Sequence, residues 1–208
     1  MHADEHEFTI QNSNPKKYDA VYVAAAAPYK RIHLALAVKN LFVVTYFWPE
    51  LRNDAGKWDL SFLDSRFASV MHNEDRISRK EVGALINQAI CGLALSRIEG
   101  AMWAVQEYLL CGIPVVTTRS LGGRGHYLNR QNSIVVGSNP RAVLKGVEEM
   151  KARAYNPELI RSNVIEEMKK NRDQFCGIVA KHVTLNDAEK MYLREIWYSR
   201  GLESIRIV

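Results

Sequence analysis

The chain alternates short apolar runs with segments of helical spacing over its first three quarters, and that alternation restricts the folds open to it. Six runs read as strands: "YDAVYVA" from Tyr18, "LFVVTYF" from Leu41, "FASVMHN" from Phe67, "CGLALS" from Cys91, "PVVTT" from Pro114 and "NSIVVG" from Asn132. Most are nearly continuous in apolar or β-branched residues, the composition of strands covered on both faces. Helical segments stand between them. "PYKRIHLALAVKN" places Pro28 at a helix start with apolar residues at helical spacing behind it. "SRKE" is a capping box, with Ser78 as N-cap and Glu81 three positions on. A third helix is expected from about Glu99 to Cys111, where Gly112 sits as the C′ residue and Pro114 blocks continuation. "NPRAVLKGVEEMKARA" opens a fourth, with Asn139 as cap and Pro140 in its first turn.

Strand–helix alternation predicts an α/β protein with a doubly wound, Rossmann-like parallel sheet of about six strands and a helical C-terminal tail. The division expected is a leader or linker over residues 1–17, an α/β domain over 18–154, and helices over 155–208 packed on that domain. "LGGRG", from Leu121, reads as a loop. Residues 48–66 read less clearly: Trp48 and Trp58 suggest packing and "NDAG" a turn.

Composition excludes several classes. Lysine and arginine are scattered, with no basic run interleaved with aromatics, so nucleic acid is not an expected partner. A net charge of +5 fits an anionic ligand or an anionic membrane surface. No apolar run approaches the roughly 18 residues that span a bilayer. Cys91, Cys111 and Cys176 lie far apart, without zinc-type spacing, and read as reduced thiols of a cytoplasmic protein. Peripheral contact with the inner membrane face is compatible with the basic excess.

In doubly wound sheets ligands bind at the carboxyl ends of strands, and three stretches there carry candidate chemistry. After the first strand, Lys30 and Arg31 stand at a helix start, where cations are unfavourable unless an anion is near. They read either as phosphate contacts or as solvated side chains. GxxxxGK[ST] and GxGxxG are both absent. In "SRIEGAMWAVQEYLL", Glu99 and Glu107 stand eight positions apart in a mostly apolar setting. If both are helical, they lie about 12 Å apart along the axis and border one groove. Gly100 and Ala101 are small enough to expose the N–H groups of a helix start. A carboxylate among Trp103, Val105, Leu109 and Leu110 needs a partner: sugar hydroxyls for a ligand-binding Glu107, a cation for a structural one. Third, the adjacent Gly122 and Gly123 follow a buried strand, where they permit a close backbone approach or merely a turn.

Together "SRIEG", the Glu99-x7-Glu107 spacing, "CGIPVVTT", the following Gly-Gly and Lys30 resemble the C-terminal, donor-binding half of the GT-B glycosyltransferases, in particular the retaining family 4-like enzymes. The resemblance covers about residues 18–150. It implies sugar transfer from a nucleoside-diphosphate sugar, with no metal or other cofactor. It places Lys30 at the donor diphosphate, with Arg31 as a supporting cation. It puts Glu99 on the transferred sugar, and backbone N–H groups of Gly100, Ala101 and Met102 on sugar or phosphate. It assigns Glu107 to the ribose hydroxyls, Gly122 and Gly123 to the donor site, and the loop from His72 to Ile77 to the base. Lys30 and Glu99 are then the catalytic candidates. Two departures from the family pattern stand out. Ala25 occupies a position where the family usually carries arginine. Fewer than twenty residues precede the first strand, so the acceptor domain is expected upstream in cis or in trans, with this chain inactive alone. The alternative is a nucleotide-sugar binding module without catalysis.

Overall fold

The computed structural model describes residues 3–13, 15–45, 70–73, 75–184 and 186–192. Six strands form one sheet: β1 (Tyr18–Val23), β2 (Leu41–Val44), β3 (Met71–His72), β4 (Ala89–Ala94), β5 (Val115–Thr118) and β6 (Ser133–Val136). Every pairing is parallel, and the order is β3-β2-β1-β4-β5-β6. The chain winds outward from β1 to β3, returns beside β1 as β4, and winds outward the other way. The direction therefore reverses between β1 and β4, the position at which such sheets open a ligand crevice.

Helices cover both faces. These are α1 (Arg79–Asn87), α2 (Trp103–Leu110), α3 (Pro140–Ala152) and α4 (Pro157–His182). The pleat shows how the register serves this. Gly92 of β4 faces α2, where a Cβ would lie 2.3 Å from the Tyr108 ring. The next residue, Leu93, pairs with Val116, which points the other way and meets Gly146 of α3. Leu93, Val105, Tyr108, Val115, Val116, Val143 and Val147 are all fully buried in the resulting core.

The local signals act as their chemistry requires. Ser78 Oγ accepts from the Glu81 N–H, and the Glu81 carboxylate accepts from the Ser78 N–H at 2.7 Å. Asn139 caps α3 through the Ala142 N–H at 2.8 Å. Gly112 takes φ 69 just past α2, against Pro157. Helix α4 buries Ile160, Val164, Met168, Arg172 and Cys176, one residue per turn, and packs on α2. Residues 187–192 form a further helical turn. Of the segment read as a leader, Ala3 and Phe8 are buried. Arg161 of α4 donates to the carbonyls of Glu5, Phe8 and Leu110, and Arg172 pairs with Glu5 at 3.0 Å.

Three expectations are corrected. The stretch from Pro28 is two 3-10 turns, Pro28–Lys30 and Ile32–Leu34, instead of an α-helix. Arg31 between them adopts φ 53, which an α-helix cannot contain, and its guanidinium reaches Leu95 O and Thr118 Oγ1. Helix α2 begins at Trp103, four residues after Glu99. Ile98 forms a parallel bridge with Leu121, in which the Glu99 N–H donates to Leu121 O at 3.0 Å, so the backbone there is extended. Gly123–Tyr127 is a 3-10 turn where a loop was expected. Trp48, Trp58 and the "NDAG" turn lie outside the described residues.

Candidate functional site

The crevice between β1 and β4 holds a cavity of about 290 Å³, near the lower bound of small-molecule sites. Lys30, Glu99, Ala101, Met102 and Glu107 line it, together with Ala25. Ala25 and Glu107, 82 positions apart in sequence, are thus brought to one opening.

Lys30 is set by the 3-10 turn that Pro28 starts. The buried Tyr22 hydroxyl donates to the Lys30 carbonyl and pins the turn to β1. Lys30 is 7% exposed, and its Nζ lies 2.7 Å from Glu99 Oε2 and 5.0 Å from the centre of the Tyr29 ring. Glu99 is held by its backbone bond to Leu121. Gly122 makes that approach possible: at φ 101, an added Cβ would lie 2.2 Å from Glu99 O. The Lys30–Glu99 pair is mostly buried, where charges attract more strongly than in water.

Glu107 differs. It stands on the second turn of α2 and lines the cavity. Among the described residues it has no ion-pair or side-chain hydrogen-bond partner. Burial pushes its pKa up to about 7, opposed by the Arg79 charge and aided by that of Glu7. The structural ion pair open to Glu107 on sequence grounds is absent among the described residues.

Gly100, exposed, precedes Ala101 on the cavity rim, and Gly123 packs beside the Gly100 carbonyl. The N–H groups of Gly100, Ala101 and Met102 belong to the approach to α2, with Met102 as its N-cap. Arg31 lies elsewhere. It lines an adjoining groove at the carboxyl ends of β5 and β6, and so does Gly122. The sequence reading missed Tyr22, which holds Lys30, and Tyr108, whose hydroxyl accepts from the Val23 N–H at 2.7 Å and ties β1 to α2. It also missed Arg124, which is almost wholly buried. An arginine inside a glycine-rich loop was the one signal available.

Among the described residues no three metal-ligating side chains come together, and no described helix is long and apolar enough to cross a membrane.

No protein-family model matches the chain, and no curated protein does. Solved structures do. Sucrose-phosphate synthase from Thermosynechococcus elongatus superposes with a TM-score of 0.59 at 14% identity, over 85% of this chain and 52% of that one. The C-terminal domain of a glycosyl transferase group 1 family protein from Francisella tularensis gives 0.53 at 11% identity, over 78% of this chain and 92% of that one. Anabaena HepE, solved in complex with UDP, gives 0.54 at 12% identity, over 81% and 56%. The chain spans about half the length of the synthase, 52% of it. It has the Rossmann-like α/β fold of one domain of the GT-B glycosyltransferases.

Proposed function

We propose that the chain is the donor-binding half of a retaining, family 4-like glycosyltransferase, which takes a sugar from a nucleoside-diphosphate sugar. The reading is carried by one observation: Lys30, Glu99 and an unpartnered Glu107 line one cavity at the β1–β4 reversal. The bound UDP of the similarly folded HepE structure is consistent with it. Donor binding splits the Lys30–Glu99 pair. The diphosphate takes the ammonium, Glu99 turns to sugar hydroxyls, and Glu107 accepts two ribose hydroxyls. When the bond from sugar to diphosphate breaks, Lys30 and the N–H groups before α2 lie where negative charge develops. A fixed cation thus does the work a metal does elsewhere. The acceptor is held by a second domain, upstream in cis or supplied in trans.

Ala25 favours a second reading, a nucleotide-sugar binding module without turnover. Its methyl lines the cavity where a second phosphate cation would stand.

Calorimetry with UDP, GDP and uridine on the wild type, Glu107→Ala and Lys30→Met tests the site. Each lost charge-assisted contact costs about 1.5–3 kcal/mol, roughly tenfold or more in affinity. Glu107→Ala should weaken uridine and UDP alike, while Lys30→Met should weaken only UDP. Unchanged affinity in both variants places the nucleotide elsewhere.

A further inference from the structure

Beside the Lys30 cavity, and sharing no lining residue with it, a groove of about 1020 Å³ opens at the carboxyl ends of β5 and β6. Five arginines line it: Arg31, Arg97, Arg119, Arg124 and Arg130. No aspartate or glutamate does. Arg97, Arg119 and Arg130 are exposed and pair with no carboxylate among the described residues. Alone they would be an ordinary solvated face.

The other two are not ordinary. Arg124 is 2% exposed, and its guanidinium donates to Ser96 O, Ser96 Oγ and Thr118 O. Arg31 donates to Leu95 O and Thr118 Oγ1. Both are satisfied by neutral oxygens and neither by a carboxylate, so their charges meet no partner in the groove. Burial lowers the pKa of each; Tyr22 opposes this on both and Glu99 on Arg124, while repulsion adds to it, from Arg97 on Arg31 and from Arg31 on Arg124. Assembling such a cluster is unfavourable until an anion enters.

We propose that this groove binds a ligand bearing phosphoryl groups, at a site separate from the Lys30–Glu99 cavity. Guanidinium forks match phosphoryl oxygens two at a time, and the groove offers arginine without lysine. The exposed Ser138 hydroxyl supplies a further donor, while those of Thr117, Ser120 and Ser133 already donate to backbone carbonyls. The assignment stands whether or not the neighbouring cavity takes a nucleotide-sugar.

The probe is inorganic pyrophosphate, titrated calorimetrically into the wild type, the Arg119→Ala/Arg130→Ala double variant and Lys30→Met. Circular dichroism checks that each is folded. Both arginines of the double variant are exposed and support no core contact. The wild type should show a pyrophosphate site that persists in Lys30→Met, where the diphosphate contact proposed for the cavity is removed, and that weakens at least about tenfold in the double variant. Affinity in the wild type should fall with salt. The proposal is overturned if the wild type does not bind pyrophosphate, if the double variant binds as well as the wild type, or if only Lys30→Met loses binding. A second arm separates two sources of the same chemistry. Arginine-dependent flotation with phosphatidylglycerol vesicles identifies a lipid headgroup, and pyrophosphate binding without flotation identifies a soluble phosphorylated compound.

Discussion

Replacing Glu107 by glutamine should make the protein more stable at alkaline pH while impairing its site. An unfolded carboxyl loses its proton near 4.5, and Glu107 in the folded chain near 7. Below 4.5 both states hold the proton and burial carries no ionic penalty. Between those values the unfolded chain releases its proton while native Glu107 keeps it, so stability falls as pH rises. Above about 7 the native carboxyl ionises in place and the full penalty remains. The shift from 4.5 to about 7 corresponds to about 3 kcal/mol at about 1.4 kcal/mol per pH unit. Glutamine has the shape of the protonated carboxyl and never ionises. Urea denaturation at about pH 4 and about pH 8 should therefore show Glu107→Gln gaining on the wild type by roughly 3 kcal/mol between the two. UDP affinity at the higher pH should fall about tenfold or more, through the loss of a charge-assisted contact. Parallel stability profiles would refute the reasoning, because they would mean that native Glu107 ionises like an exposed carboxyl. A gain in stability with no loss of affinity would keep the burial and remove the ligand.

Three further outcomes follow from the geometry. Gly122→Ala, which forces a Cβ to 2.2 Å from Glu99 O at φ 101, should cost at least about 1–3 kcal/mol in denaturation and weaken UDP binding by displacing Glu99. Ser78→Ala removes the cap of α1 and should cost about 1 kcal/mol with UDP affinity unchanged; a loss of affinity would couple α1 to the site. Release of nucleoside diphosphate from nucleotide-sugars by this chain alone should not increase with candidate acceptors, since holding both substrates together accounts for about 7–11 kcal/mol of such a barrier. Acceptor-dependent release would place an acceptor site within these 208 residues.

How far the fold was legible depended on the range of the interactions that decide each element. The cap at Ser78, the Asn139–Pro140 start and the Gly112 stop act within a few residues, and each is where local chemistry puts it. The six strands were visible because parallel strands in a covered sheet are apolar almost throughout. What failed was decided at long range. The turn at Arg31 follows partners 64 and 87 residues away, and no helical pattern in "PYKRIHLALAVKN" reports them. The late start of α2 follows the Ile98–Leu121 bridge, formed with a loop beyond β5. The same bridge explains the uneven result at the site. Lys30, Glu99 and Glu107 line one cavity, but Glu99 arrives on an extended segment instead of a helix, and Arg31 turns into the next groove. Tyr22 and Tyr108 were invisible as site residues, because a buried tyrosine in an apolar run reads as core until its hydroxyl partner is known.

The central claim is that the β1–β4 cavity takes a nucleoside diphosphate, and amide chemical-shift mapping with UDP tests it most directly. The account predicts shifts concentrated in two segments, Ala24 to Lys30 and Glu99 to Glu107, which both line that cavity. Shifts confined to the arginine groove between Thr117 and Ser138, or no shifts at all, would contradict it.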